Sequence, residues 1–227
     1  MRLLVAPEPG LRAVVFFDGQ NLFHAAKEVF GYKEPDYDPR LLAMAICEKQ
    51  GWQLIQVRFY TGVPDRLENP VLQGYWTRKL DVLGKHPDVT VIRRTLKYSY
   101  RPSPPACRKC GHRDPHDGLK CARCGWQRPK KKVPREKGID IRIALDCIRL
   151  TSKEEFDVAV VSSQDQDLAE IPEYINAISA QQRRTVEFYS AFPFAPGMKN
   201  SRGINHMRAL HIDRGLYDAC RDPRNYY

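Results

Sequence analysis

The strongest constraint on this chain is a run in which both faces of a strand are apolar. Ala13-Val14-Val15-Phe16-Phe17 has no polar residue at any alternate position. A strand that faces water on one side alternates, so a run like this is expected to lie inside a sheet covered on both sides. Comparable short runs recur along the chain, separated by longer segments of helical period. Strands are expected at Trp52–Tyr60, from Val89 to about Lys97, at Asp157–Val161 and at Thr185–Tyr189. Helices are expected at Asn21–Phe30, from the Asp38-Pro39 start to about Gln50, at Arg66–Leu83, from about Lys137 to Leu150, and at Asp167–Gln181. Ala191–Arg202 reads as loop, and Arg214–Arg221 as a last short helix. Repeated strand–helix alternation predicts an α/β fold with a doubly wound, mainly parallel sheet.

One stretch does not fit this alternation. Between the third strand and the helix near Lys137 the sequence is punctuated by Pro102, Pro104, Pro105, Pro129 and Pro134, and it encloses Cys107-Arg-Lys-Cys110-Gly and Cys121-Ala-Arg-Cys124-Gly. Cys-x-x-Cys lets two thiolates reach one ion, and the following Gly permits the positive φ that turns backbone amides toward sulfur. Two such knuckles complete a tetrahedral four-thiolate site, which is read as structural Zn²⁺ held by Cys107, Cys110, Cys121 and Cys124. An iron centre or reactive dithiols are the alternatives. His112 and His116 lie between the pairs and are expected to be exposed. Cys47, Cys147 and Cys220 have no partner at ligand spacing and read as small buried hydrophobes. The expected organisation is a main domain over 11–213, a zinc ribbon inserted at 101–134, and a tail over 214–227.

Charge is concentrated in the same place. The chain carries 37 Lys and Arg against 27 Asp and Glu, a net +10. Residues 97–137 hold 13 Lys and Arg and three acids, so this stretch carries the whole excess. Such a surface suits a polyanion, with Lys130, Lys131, Lys132, Arg135 and Lys137 as candidate phosphate contacts; a solvated basic loop is the alternative. Tyr98, Tyr100 and Trp126 sit among these cations and are candidates for stacking on bases or for burial against the sheet or knuckles. The amino-terminal residues break at Pro7 before any apolar core of signal-peptide length, and no apolar run approaches about 18 residues, so a cytoplasmic protein without a membrane span is expected.

Acids gather where the loops leave the carboxyl ends of the strands, the edge where ligands bind in open parallel sheets. Asp18 follows Phe17 directly, with Asn21 in the next turn. Ser162-Ser163-Gln164-Asp165-Gln166-Asp167 follows Val161. The second segment alone would also make an ordinary helix cap. In the helix near Lys137, Asp140 falls on the side of Ile143, Ala144 and Cys147, where an unpaired carboxylate is costly. Asp146 shares a polar face with Arg142 and Arg149 and reads as a surface ion pair. Lys137, a cation in a helix's first turn, opposes the dipole and is explained by a nearby phosphate or by simple solvation. Asp18, Asp140, Asp165 and Asp167, with Asn21 beside them, can therefore converge on one site for a hard cation, Mg²⁺ or Mn²⁺, which would activate water against a phosphodiester.

Val15-Phe16-Phe17-Asp18-Gly19-Gln20-Asn21-Leu22, Glu136-Lys137-Gly138-Ile139-Asp140 and Val161-Ser162-Ser163-Gln164-Asp165-Gln166-Asp167-Leu168 together resemble the three motifs of the NYN family, a branch of the PIN-like nucleases. The resemblance runs in order from about Ala13 to Ile212. It implies a PIN-like α/β sandwich and a divalent-metal-dependent endoribonuclease in which Asp18, Asp140, Asp165 and Asp167 hold the metal and Asn21 is their polar partner. RNA is the implied substrate, with DNA as a second candidate. The pattern departs from the family at Gln164, where Gly or Asp is frequent, and related chains often carry an acid at the Asp146 position. The competing expectation is a non-catalytic RNA-binding or regulatory protein that keeps the fold. An aspartyl-nucleophile phosphatase would need Asp-x-Asp where this chain has Asp18-Gly19-Gln20. A topoisomerase-primase domain would need Glu where it has Asp18. No phosphate-loop lysine signature supports nucleotide hydrolysis.

Overall fold

A computed structural model describes residues 10–102, 106–113, 119–127, 130–198 and 202–227. His116, Pro104, Pro105, Pro129 and the amino-terminal residues lie outside the described residues, as do the side chains of Lys130 and Lys131.

The first strand, β1 (Arg12–Asp18), is buried from Ala13 to Asp18, as its unbroken apolar run requires. It is followed by α1 (Gly19–Phe30), α2 (Pro39–Gln50), β2 (Gln53–Val63), α3 (Pro70–Leu83) and β3 (Val89–Thr95). After β4 (Lys97–Pro102) and β5 (Lys130–Arg135) come α4 (Ile139–Ser152), β6 (Val158–Ser162) and a single 3₁₀ turn at Gln166–Leu168. The chain then continues through α5 (Ile171–Gln181), β7 (Glu187–Pro193), β8 (Arg208–Ile212) and α6 (Arg214–Ala219). Six strands form one sheet in the order β3-β2-β1-β6-β7-β8, and every pairing in it is parallel. The expected mainly parallel α/β sheet is thus the one observed.

Each face of the sheet has its own core, because successive residues of β1 point to opposite sides. Ala13, Val15 and Phe17 pack with Leu22 and Ala26 of α1, Leu42 and Ile46 of α2, Leu80 of α3 and Tyr217 of α6. Val14 and Phe16 pack with Ile139, Ile143 and Leu150 of α4 and Ile175 of α5. Cys47, Cys147 and Cys220 are buried, as expected of small hydrophobes. Among the described residues no helix is long and apolar enough to cross a membrane.

Several elements differ from their sequence expectations for local reasons. The helix expected from Arg66 starts at Pro70, capped by the Asn69 side chain on the Leu72 amide. The helix expected from Asp167 is a 3₁₀ turn and then α5, with Pro172 in the first turn of the latter. The strand expected to end at Tyr189 continues to Pro193, through residues expected to be loop, and β8 has no counterpart among the expectations. Asp146 is not a surface residue. Its side chain is 4% exposed and meets Arg58 of β2 at 2.8 Å and the Tyr60 hydroxyl at 2.9 Å, in addition to Arg142 and Arg149 on its own helix. The helical pattern identified the two flanking arginines, but the partners that bury Asp146 come from a strand 88 residues away in sequence. This cluster fastens α4 to the sheet.

Candidate functional site

The chain leaves β1 toward β2 on one side and leaves β6 toward β7 on the other, although β1 and β6 are neighbours. Strand order therefore reverses between them, and the loops beyond their carboxyl ends diverge and open a crevice. Asp18 is the last residue of β1, and Ser163 to Asp165 follow β6.

Asp18 serves two purposes by position. Its Oδ1 accepts from the Asn21 amide at 3.0 Å, capping α1. Its Oδ2 accepts from the Ser163 hydroxyl at 3.4 Å, across the crevice. The side chain of Asn21 accepts from the Gln164 amide at 2.9 Å, so both loops are tied together. The side-chain Nε2 of Gln164 donates to the Arg202 carbonyl at 2.8 Å, which braces the turn. Asp165 caps the 3₁₀ turn by accepting from the Asp167 amide at 3.0 Å.

Asp140, from the first turn of α4, joins this edge. A carboxylate oxygen from each of Asp140, Asp165 and Asp167 lies within 4.8 Å of the others, a grouping that can hold a metal ion. Asp140 and Asp165 are half-buried and Asp167 is exposed. Asp18 lies deeper and outside this trio, at 4% exposure. Burial pushes the Asp18 carboxyl up to about 6; the Asn21 amide and Ser163 hydroxyl counteract this, while the charges of Asp140 and Asp165 add to it. Asp140 is also raised, by burial and then by Asp165 and Asp167.

A fifth acid was not among the sequence candidates. Glu136 sits between β5 and α4, with an Oε2 that is buried and without a hydrogen-bond partner. Burial and the neighbouring Asp18 and Asp140 push its carboxyl up to about 8, against a backbone hydrogen bond from Gly62. Its signal in the sequence was weak, an acid within the basic run.

The basic candidates lie on a separate element that joins the acids directly. β4 and β5 form an antiparallel ribbon in which Lys97 pairs with Arg135 and Tyr100 with Lys132. β5 contains Lys130, Lys131, Lys132 and Arg135, and leads straight into Glu136. Arg135 and Lys137 are exposed. Lys132 is ion-paired with Glu68 and lies over the rings of Tyr98 and Tyr100, at 5.3 and 5.9 Å. Tyr100 is 66% exposed, whereas Trp126 is half-buried.

Beyond the ribbon the two knuckles repeat one another. Cys107 bonds through its amide to the His112 carbonyl at 2.8 Å, and Cys121 to that of Trp126 at 3.0 Å. Gly111 and Gly125 follow at φ 71° and 67°, the conformation the knuckle requires. Sγ atoms are 3.6 Å apart between Cys107 and Cys124 and 3.7 Å between Cys110 and Cys121. Tetrahedral zinc with Zn–S bonds of about 2.3 Å sets its sulfurs about 3.8 Å apart, so the cluster suits such an ion. His112 is half-buried rather than exposed, and four sulfurs complete the grouping without it.

No family model matches the chain, and no curated protein does. Among solved structures, the chain is similar to a protein of unknown function from Vibrio parahaemolyticus, at 16% identity and a TM-score of 0.44, over 82% of this chain and 83% of that one.

Proposed function

We propose that this protein is a divalent-metal-dependent endoribonuclease of the PIN-like, NYN class, hydrolysing RNA phosphodiester bonds at the crevice between β1 and β6. The observation that carries this reading is the convergence of Asp140, Asp165 and Asp167 within 4.8 Å, from two separate segments of the chain, beside buried Asp18. Like charges this close repel, and burial compounds the cost; one or two Mg²⁺ or Mn²⁺ ions would relieve it. Such ions supply an activated water and a counter-charge for the leaving oxygen. The residues do the rest. Asp167, exposed to solvent, meets the incoming phosphate side; Asp165 and Asp140 close the site from the loop after β6 and from α4; Asp18 fixes its depth. Asn21 and Ser163 hold the loops in register.

The ribbon supplies what the acids cannot. A crevice of carboxylates repels a phosphate backbone, and the cations of β5, with Arg135 and Lys137, run to its edge and would grip the strand. A structural zinc on the four cysteines would order the far end of the ribbon without touching the scissile bond. Incubating purified protein with mixed RNA and DNA in Mg²⁺, Mn²⁺ or EDTA tests the proposal. Internal cleavage of RNA that EDTA abolishes is expected. Stable RNA binding with no cleavage in either metal would instead support a binding or regulatory protein.

A further inference from the structure

Adjoining Asp18 and Glu136 lies a largely apolar cleft of about 310 Å³ that none of the catalytic residues lines. Its walls include Phe23 of α1, Leu72 and Trp76 of α3, Leu96 and Pro134, with Gln20, His24, Lys33 and Glu34 as polar and charged members. The cleft and the acids share a boundary. Gly19 and Gln20 line the cleft immediately after Asp18, and Pro134 lines it two residues before Glu136. Gly62, at the end of β2, is the partition. A Cβ there would lie 2.3 Å from Leu96 Cδ2, 2.6 Å from Glu136 Oε2 and 3.0 Å from Gln20 Nε2, so the glycine lets the cleft wall and the buried acid close against the same point of the strand.

Phe23 is the informative wall. It is half-buried and belongs to neither hydrophobic core, so its ring is not there to fill one. It packs with His24, ring centroids 5.5 Å apart, at the cleft. We propose that this cleft is a nucleobase pocket, taking one unpaired base of the RNA strand whose neighbouring phosphate lies at Asp18. This rests on the ribonuclease reading and adds to it a base-binding subsite on the far side of Asp18 from the outer acids' loop. The volume suits a single ring system rather than a peptide helix. An aromatic wall suits any base, because every base has a π face. The Gln20 amide offers one donor group and one acceptor for a base edge. Charge placement points the same way: the cleft adjoins the acids Asp18 and Glu136 through Gly19, Gln20 and Gly62, and the basic ribbon through Leu96 and Pro134.

The test compares a short single-stranded RNA with a ribose-phosphate strand of equal length and charge that lacks bases, both bound in EDTA at fixed salt. Native protein is expected to favour the RNA by about tenfold or more, the range of base stacking on one aromatic. Phe23→Leu, which keeps an apolar wall but removes the π face, should lose most of that preference and leave affinity for the baseless strand unchanged. Phe23→Tyr should retain the preference. Equal affinity of the native protein for both strands, or an equal loss on both strands in Phe23→Leu, overturns the pocket. If metal-dependent RNA cleavage persists alongside either result, only the pocket fails. If neither strand binds and no RNA is cut, the ribonuclease reading fails with it.

Discussion

Asn21 and Gln164 are joined across the crevice: the Asn21 side-chain oxygen accepts from the Gln164 backbone amide at 2.9 Å. This bond ties the loop after β1 to the loop after β6, and so sets the separation between Asp18 and the outer acids. Asn21→Ala removes this bond, at a cost of about 1 kcal/mol. More telling is its effect on metal binding. Mn²⁺ affinity, followed by calorimetry, should fall about tenfold or more although Asn21 need not touch the ion. An unchanged Mn²⁺ affinity would show that the loops keep their register without it.

The Arg58–Asp146 pair makes a stability prediction independent of any activity. Removing one partner of a buried pair strands the other charge, so Asp146→Ala should destabilise the fold by about 3–5 kcal/mol in urea unfolding. Although burial opposes it, Arg58 and Tyr60 hold the Asp146 carboxyl below its ordinary value. Its contribution is therefore present above the unfolded-state value near pH 4 and is lost as pH falls through the lowered folded value. A neutral effect of Asp146→Ala would mean that the pair is solvated in the native protein.

Glu136 and Asp18 carry the opposite sign. Their carboxyls titrate near 8 and 6 when folded, against about 4 when unfolded, so the folded chain retains protons that the unfolded chain has released. Stability of the metal-free protein should be greatest below about pH 4 with respect to these groups, and fall as pH rises toward 8. Glu136→Gln should flatten that fall and stabilise the protein at pH 8 by on the order of 1–3 kcal/mol, allowing for partial solvent screening. A thermal melt series across pH in chelator checks this. A native slope of the opposite sign, or no stabilisation by Glu136→Gln at pH 8, would contradict it.

Zinc should be present at one equivalent per chain by elemental analysis and released by Cys110→Ser combined with Cys124→Ser. The six-stranded sheet shares no strand with the ribbon, so the main unfolding transition should move little in that double variant. A collapse of the whole fold on zinc loss would instead tie the knuckles to the sandwich.

The sheet was legible because burial on both faces leaves a local signature: Ala13–Phe17 needs no partner to be recognised as an interior strand. Asp18 and Asp165 were legible for the same reason, since Asp18 directly follows the end of one such run and Asp165 lies in the short polar turn after another. The ribbon was not. Lys130-Lys131-Lys132-Val133-Pro134-Arg135 is rich in residues that strands avoid, and its pairing with β4 bridges the whole cysteine insertion. β8 lay hidden because Arg208-Ala209-Leu210-His211-Ile212 is an edge strand, buried only at Ile212. Asp146 was misplaced because a helical period sees neighbours on the same helix and not Arg58 opposite. Glu136 was counted with the basic run around it, and only the closure of β5 onto α4 brings its carboxyl beside Asp18.

The most direct measurement is metal-dependent cleavage of an end-labelled single-stranded RNA by native protein and by Asp165→Asn, with Mn²⁺ titrated and RNA occupancy matched. Asp165→Asn keeps the shape of the loop while removing one charge from the three-carboxylate cluster. Cleavage should fall by about a hundredfold or more, the loss expected for a metal-binding group, while RNA affinity in EDTA stays equal or improves. Undiminished cleavage by Asp165→Asn, or cleavage by the native protein that persists in EDTA, would contradict a metal-dependent site at this crevice.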